Sequence, residues 1–354
     1  MRTKSLFYPT TFTAILLALT VLTVAGQPGA TLAQSSATEA ASATMAGTPA
    51  PYTLGAPCPT TADAAPAATT AATQDTGAST PAATAPAEVG AENGTVYKFG
   101  LTPWQKGQSE DDVRFLFKPM LEWLGKQVNA TFVLVSAKDY AQAADYIANN
   151  TVQFVNISPA PYIAAQKKTP GVRMLVTELS CNKANNTLSD SYTGYILALK
   201  TRTDLNSVDD LKGKNFAFVA LDSTSGYVVP NALLFKSKGI DPKDFFAQVT
   251  FPGSHPLVTD AIVAGSVDAG ATWDFNWSQA ILKHGDVFKA IWTSPPIPNV
   301  GIAINPSVPE DMQKKVQDAL LHIDPALLKG LSPSAYVARP DSFYDVIRQL
   351  QAGN

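Results

Sequence analysis

The 354-residue sequence contains only two cysteines and three histidines, and this scarcity excludes several classes of protein. Two cysteines are too few for a disulfide framework. A single bridge between Cys58 and Cys181 would tie a disordered tail to a folded lobe, and the sequence does not favour it. The scattered cysteines and histidines have no metal-ligand spacing, so we expect neither a metal site nor a cofactor.

Long runs of one charge are also absent. The net charge is −3 and no Lys/Arg block occurs, which argues against a nucleic-acid-binding surface or one that binds anionic membranes. Any anion site must therefore be local and built from neutral dipoles. The first cysteine lies well beyond the apolar N-terminal run, which excludes a lipid anchor at that point.

The N-terminus predicts a secretory signal peptide over residues 1–33. Arg2 and Lys4 give a positive start, Phe12–Val24 is apolar, and small residues follow. An uncleaved anchor is the alternative, although the apolar stretch is short for a membrane span. Residues 34–94 are Ala, Thr, Pro, Ser and Gly with almost no large apolar residue, so we expect a disordered spacer.

From Thr95 onward, short apolar runs alternate with helical patterns, and Ser294–Pro298 predicts no regular structure. The predicted strands are Val96–Leu101, Thr131–Val135, Phe154–Ile157, Val172–Thr177, Tyr195–Leu199, Phe216–Leu221, Val249–Phe251, Ala269–Thr272, Phe288–Thr293 and Gly301–Ile304. The predicted helices are Asp111–Val128, Tyr140–Asn149, Ala160–Gln166, Val208–Lys214, Pro256–Ala264, Trp277–His284, Glu310–Ile323 and Asp341–Leu350. This order predicts an α/β fold of mostly parallel sheets with helices on both faces.

A cluster of small hydroxyl residues, Asp222–Gly226, separates an apolar strand from a second apolar pattern. Where a strand gives way to a helix, unpaired backbone N–H groups lie at the positive end of the helix dipole. Such a turn is a seat for an oxyanion. The simpler alternative is that Ser223 or Ser225 only caps a helix.

Pro230 conflicts with a regular helix that begins at Thr224. In an α-helix the Gly226 carbonyl would accept from the N–H of Pro230, which proline lacks. We therefore expect the first turn to be irregular, or the regular helix to begin later.

Polar residues follow two further strands of the second half. His255 comes after Val249–Phe251, and Asp274 comes after Ala269–Thr272. Ligands of open α/β sheets bind at the carboxyl edge of the strands, so both residues should lie beside the hydroxyl cluster. Taken singly, His255 could be a loop or core residue and Asp274 a helix cap.

Several segments occur in the order and spacing of a known family. They are Asp209–Lys214, Asp222–Tyr227, Gly239–Asp241, Gly253–His255, Gly265–Gly270 and Ser294–Pro298. Over roughly Val96–Ile304 the chain resembles the phosphate/phosphite/phosphonate-binding proteins of ABC importers, the PhnD-like group. The resemblance implies a two-lobe, type II periplasmic-binding-protein fold with two hinge strands. Lobe one would be residues 95–198 plus 300–354, and lobe two residues 199–299.

The resemblance also implies the ligand-binding residues, which are Ser223, Thr224, Ser225, His255, Tyr140, Tyr192 and Asp274. The two tyrosines, which could otherwise be core residues, would close over the ligand. Aminoalkylphosphonate binders carry a second carboxylate after the Ile-Pro pair, whereas Asn299 and Val300 stand here. This departure favours a small ligand. Gln153 stands where family members often have Asp.

The sequence thus predicts an exported, periplasmic or cell-surface-associated monomer that is not an enzyme. It would capture phosphite, phosphate or an alkylphosphonate for a membrane permease, with Asp274 accepting a ligand proton and repelling sulfate. One alternative is a secreted phosphatase or esterase that uses Ser223 or Ser225 with His255 and Asp274, although no G-x-S-x-G elbow is present. The other alternative is a sensor component that hands its ligand to a kinase.

Overall fold

The computed structural model describes residues 52–59, 88–90, 94–102, 110–182 and 186–352. The predicted signal peptide, residues 1–33, lies outside this part. All described residues belong to one unit, 47–354. None of the helices in these ranges is long and apolar enough to cross a membrane. The same ranges contain no cluster of three or more His, Cys, Asp or Glu side chains that could hold a metal ion.

The strands and helices follow the predicted order closely. The strands are β1 (Glu88–Gly90), β2 (Thr95–Leu101), β3 (Ala130–Ser136), β4 (Phe154–Ile157), β5 (Arg173–Asn182), β6 (Thr187–Ser189), β7 (Ser191–Tyr192), β8 (Gly194–Leu199), β9 (Asn215–Ala217), β10 (Gln248–Thr250), β11 (Ala269–Trp273), β12 (Phe288–Thr293), β13 (Ile297–Pro298), β14 (Gly301–Ile304) and β15 (Ala335–Val337). The α-helices are α1 (Glu110–Val128), α2 (Tyr140–Ala148), α3 (Pro159–Lys168), α4 (Pro242–Phe245), α5 (His255–Val263), α6 (Asp274–His284), α7 (Glu310–Leu321) and α8 (Asp345–Ala352). Shorter 3-10 or π-helical turns are Asp209–Leu211, Thr224–Val228, Asn231–Phe235, Lys236–Lys238, Pro325–Leu328 and Asp341–Tyr344.

Two main sheets define two lobes, as predicted. The first sheet has the order β1-β3-β2-β4-β14-β5-β15, with β6 paired to β5. The second has the order β10-β9-β11-β8-β12. The core of the first lobe is built on fully buried aromatic residues such as Phe99, Phe132 and Phe154, and that of the second on Phe216 and Phe218.

The sheets are mixed, so the expectation of mostly parallel sheets is wrong. β2 runs parallel to β3 and β4, and β9 runs parallel to β10 and β11, but β14 is antiparallel to β4 and β8 is antiparallel to β11. The reason lies in how the chain changes lobes. β8 and β14 each begin at the edge of the sheet that faces the other lobe, where Gly194 pairs with Trp273 and Gly301 with Ile157. The neighbouring strands end there.

Two short hinge strands connect the lobes, which confirms that prediction. β7 and β13 pair antiparallel, with Tyr192 opposite Ile297 and Ser191 opposite Pro298. The expectation that Ser294–Pro298 has no regular structure is therefore wrong at its end, where a two-residue strand forms with Pro298 as its last residue. The predicted lobe boundary at Leu199 also shifts, because β8 is an inner strand of the second sheet. The change of lobe falls near Tyr192.

Cys58 and Cys181 form the disulfide that the sequence did not favour. The bridge holds residues 52–59 against the β5–β6 hairpin, where Cys58 N donates to Asn186 O at 3.0 Å and Leu188 N donates to Ala56 O at 2.8 Å. β1 adds a further paired segment, antiparallel to β3. Residues 52–59 and 88–90 are thus folded parts of the predicted spacer. The low average hydrophobicity of the spacer does not indicate these two segments, because a covalent bond and backbone pairing hold them in place.

Candidate functional site

A small cavity lies where the edges of the two main sheets meet. The first lobe lines it with Thr102, Tyr140, Asn156, Ser158, Val300 and Ser332. The hinge and the second lobe line it with Tyr192, Ser223, Thr224, Ser225, His255 and Trp273. No lining residue carries a formal charge. The space open to the centre of a water molecule is about 20 Å³. One water needs about 10–15 Å³ on this measure, so the cavity suits a compact ligand.

Three α-helices of nine or ten residues begin at this cavity. Tyr140 and His255 are the first residues of α2 and α5, and Ser158 is the N-cap of α3. Each helix start brings backbone N–H groups and the positive end of a dipole toward the enclosed space. These helix starts offer backbone N–H donors to an anion without a lysine or arginine in the cavity lining.

The Ser223–Ser225 turn is both a cap and a cavity wall. Ser223 Oγ accepts a hydrogen bond from Gly226 N at 3.2 Å, so the simple capping prediction is correct for this residue. The N–H groups of Thr224 and Ser225 begin the following helix and have no partner within it. All three residues are almost fully buried. Their hydroxyl and N–H groups therefore lie at the cavity and away from bulk water.

The irregular turn predicted from Pro230 is present as a π-helix over Thr224–Val228. Pro230 has no N–H to donate to the Gly226 carbonyl, which accepts a hydrogen bond from Val219 N at 3.1 Å instead. This brings the turn so close to the preceding chain that a Cβ on Gly226 would lie 2.4 Å from Val219 Cγ2. Glycine is therefore required at residue 226.

Thr224 joins the two lobes. Its Oγ1 accepts a hydrogen bond of 2.9 Å from Ala160 N, in the first turn of α3. The bond is buried and links residues 64 positions apart. The two lobes are thus in contact across the cleft at the cavity.

His255 is neutral and its proton position follows from its neighbours. The side chain is 4% exposed, and burial lowers its pKa to about 3. Its Nδ1 lies 3.1 Å from Thr272 Oγ1. Asn276 Nδ2 donates to the His255 carbonyl at 3.2 Å and to Thr272 Oγ1 at 3.0 Å.

The carbonyl can only accept, which fixes the orientation of the Asn276 amide. Thr272 Oγ1 therefore accepts a hydrogen bond from Asn276. Among the described residues, the acceptor for the Thr272 hydroxyl proton is His255 Nδ1. The neutral imidazole then carries its proton on Nε2. In this tautomer Nε2 is the hydrogen-bond donor of the His255 ring, and His255 is one of the residues that line the cavity.

Both predicted tyrosines lie at the cavity and stay protonated. Burial raises the pKa of the Tyr140 and Tyr192 hydroxyls well above the usual value, and this effect outweighs the opposing hydrogen bonds of nearby serine and threonine hydroxyls. Ser225 and Thr224 are the hydroxyl neighbours of Tyr192. Ser223 lies near the Tyr140 hydroxyl, but no described group makes a hydrogen bond of normal geometry with it.

Asp274 is placed differently from the prediction. It does not line the cavity. Its carboxylate accepts from Phe275 N at 2.7 Å and from Thr193 N at 3.1 Å, beside the hinge. The predicted role as a ligand-proton acceptor has no geometric support, because backbone amides hold this carboxylate at the start of α6.

Further polar residues of the first lobe also line the cavity, and they are not among the predicted site residues. Thr102 and Ser158 directly follow β2 and β4, and Asn156 lies within the end of β4. Ser158 Oγ and Asn156 Oδ1 are shielded from solvent and have no hydrogen-bond partner among the described residues. The signal that marks Thr102 and Ser158 in the sequence is their place directly after a strand, which is the rule that predicts His255. No local pattern marks Ser332.

Two lobes, two hinge strands and an enclosed cavity at the cleft define a type II periplasmic binding protein. The fold is similar to a binding protein component of an ABC phosphonate transporter from Pseudomonas aeruginosa, with a TM-score of 0.64, 20% identity, and coverage of 74% of this chain and 90% of that one. It is also similar to PhnD1 from Prochlorococcus marinus in complex with methylphosphonate, with a TM-score of 0.63, 19% identity, and coverage of 73% and 97%.

The chain belongs to the phosphonate family of periplasmic substrate-binding proteins of ABC transporters, whose model matches residues 99–344. A curated relative is the phosphate-import protein PhnD of Mycolicibacterium smegmatis, which is 27% identical over 217 residues. That match spans 58% of this chain and 66% of the relative. Family members are substrate-binding proteins and not enzymes, so the phosphatase or esterase alternative is wrong. The geometry agrees, because the partner of His255 Nδ1 is Thr272 and not Asp274.

Proposed function

We propose that this protein captures a small phosphorus oxyanion, namely phosphite, phosphate or methylphosphonate, outside the cytoplasmic membrane and delivers it to an ABC permease. The observation that carries this proposal is the small cavity between the lobes, which uncharged groups line and which three helix N-termini adjoin. Preformed neutral donors bind an anion without a fixed cation, which keeps release possible.

In this proposal each predicted residue except Asp274 keeps its role. Ser223, Thr224 and Ser225 donate from backbone and hydroxyl groups, and His255 donates from Nε2. Tyr140 and Tyr192, whose hydroxyls stay protonated, close the site from the first lobe and the hinge. The bond between Ala160 N and Thr224 Oγ1 ties the lobes together at the site, and such closure is what a permease would sense.

The size and chemistry of the cavity favour the smallest ligands. No carboxylate lines it, so the amine of an aminoalkylphosphonate would have no counter-charge. The name of the curated relative specifies phosphate, and the structural neighbour PhnD1 holds methylphosphonate. Both ligands belong to the class that the cavity suits.

A thermal-shift screen tests this proposal with phosphite, phosphate, methylphosphonate, 2-aminoethylphosphonate and sulfate. A ligand that binds only the folded state raises the melting temperature by mass action. We expect phosphite, phosphate or methylphosphonate to give the largest shift. No shift with any phosphorus oxyanion would refute the function, and the largest shift with 2-aminoethylphosphonate would refute the size argument.

A further inference from the structure

A buried carboxyl group lies directly behind the first-lobe wall of the cavity. Glu178, in β5, is 1% exposed, and among the described residues no Lys, Arg or His forms a salt bridge with it. Its carboxyl oxygens accept from Asn156 Nδ2 at 2.9 Å and from Ser332 Oγ at 2.5 Å. Asn156 and Ser332 both line the cavity. Glu178 is thus one side chain away from the enclosed space.

The ionisation state of Glu178 decides which groups the wall presents to a ligand. An ionised carboxylate only accepts, so it takes the donors of both Asn156 and Ser332. Asn156 then turns its carbonyl oxygen away from Glu178, and Asn156 Oδ1 is indeed buried without a hydrogen-bond partner among the described residues. A neutral carboxyl group donates one hydrogen bond itself. Either Asn156 or Ser332 must then accept this hydrogen bond from Glu178. The residue that accepts it no longer donates to Glu178, so its N–H or O–H group is freed for the cavity.

The surroundings of Glu178 make both states accessible. Burial raises its pKa to about 7, against the opposing effect of the Ser332 and Asn156 hydrogen bonds. The titratable groups that face it are the hydroxyls of Tyr192, Tyr336 and Tyr344, and burial keeps each of them neutral. Three further carboxylates act on these tyrosines: Asp190 and Asp341 on Tyr344, and Asp274 on Tyr192. Asp190 forms an ion pair with Arg339, and Asp341 forms one with Arg348.

We propose that Glu178, acting through Asn156 and Ser332, makes ligand capture proton-coupled, so that the closed site holds one proton that either the carboxyl group or the oxyanion supplies. This inference rests on the proposed function. A dianion with no acidic proton binds when Glu178 is neutral and the donor of Asn156 or Ser332 is freed for the cavity. A ligand with a P–OH group instead donates to Asn156 Oδ1 while Glu178 stays ionised. Glu178 is a positioning residue in this scheme and does not contact the ligand.

Calorimetry with phosphite, in buffers of different ionisation enthalpy, counts the protons taken up on binding. Above the pKa of Glu178, phosphite is a dianion and we expect uptake of close to one proton per ligand. The wild-type affinity should fall by up to about tenfold per pH unit between about pH 7 and about pH 9. Glu178→Gln mimics the neutral acid, because its amide donates permanently, so its complex should form without proton uptake and with little dependence on pH in this range.

The matched control is Glu122→Gln, because the Glu122 side chain is 46% exposed on α1 and should leave the wild-type pH profile unchanged. The ionisation of phosphite itself is common to all variants and cancels in the comparison. Binding of phosphite without proton uptake by the wild type would overturn the inference and leave the proposed function intact. The uptake measurement needs no variant, so an absence of uptake refutes the inference even if Glu178→Gln does not fold, whereas the variant assigns the proton to Glu178. A wild-type protein that binds no phosphorus oxyanion would overturn both.

Discussion

Replacing Glu178 by Gln should change how the stability of the protein depends on pH. Burial raises the pKa of Glu178 from 4.5 to about 7. A shift of this size corresponds to roughly 3 kcal/mol, at about 1.4 kcal/mol per pKa unit. Because the folded-state pKa is raised, this stabilisation is fully present below about pH 4.5 and is lost as the pH rises through about 7. At alkaline pH the unfolding free energy of the wild type is therefore lower, because the protein holds a buried charge without a cationic partner.

Glu178→Gln removes the titration and keeps nearly the same shape. We expect the variant and the wild type to have similar unfolding free energies at low pH. Above about pH 8 the variant should be the more stable, by up to roughly 3 kcal/mol. Urea denaturation in a series of buffers, without ligand, measures the difference, and the exposed Glu122→Gln serves as the control. Parallel pH profiles for wild type and Glu178→Gln would refute the reasoning, since they would show that Glu178 has the same pKa in both states.

Three further outcomes are expected. His255→Ala should weaken oxyanion binding by about 1.5 kcal/mol or more in calorimetry, the scale of a hydrogen bond to a charged group, while the same change at His322 in the C-terminal turn of α7 should have no effect. Cys58→Ser with Cys181→Ser should lower the unfolding free energy by up to about 5 kcal/mol, because the bridge spans 123 residues, and an unchanged melting temperature would contradict this. Gly226→Ala should destabilise the fold by about 1–3 kcal/mol and weaken binding together, because its Cβ would overlap Val219; full stability in denaturant would disprove the close approach.

Most of the second-lobe site could be predicted from the sequence because its signals are local. The Ser-Thr-Ser-Gly turn, its conflict with Pro230, and His255 all lie at the end of an apolar run. These features follow from one stretch of chain each, and of their residues Ser223, Thr224, Ser225 and His255 line the cavity. The two-lobe fold and its hinge followed from the resemblance, which the family match confirms.

The rest depended on contacts between residues that are distant in the sequence. Glu178 meets Ser332 across 154 positions, and nothing near either residue marks the pair. Asp274 followed the same strand-end rule as His255, yet its carboxylate turns to backbone amides at the hinge. The rule gives the edge of the sheet on which a residue lies. It does not give the direction of its side chain.

The disulfide shows a different limit. Low hydrophobicity correctly indicates that a segment cannot fold by burying itself, but a single covalent bond needs no hydrophobic surface. Tyr52 and Ala56 nevertheless pack against a small buried cluster of Leu179, Leu188 and Ala335, which is too small to detect from composition.

The same bridge can form only after the protein has been exported. Cys181 is synthesised 123 residues after Cys58, and thiols stay reduced in the cytoplasm, so the bond can close only after both residues have crossed into an oxidising compartment. The bridged and reduced forms differ in electrophoretic mobility. The bond therefore provides a chemical record of export, because the bridged fraction on a non-reducing gel reports how much of the protein has reached the oxidising compartment.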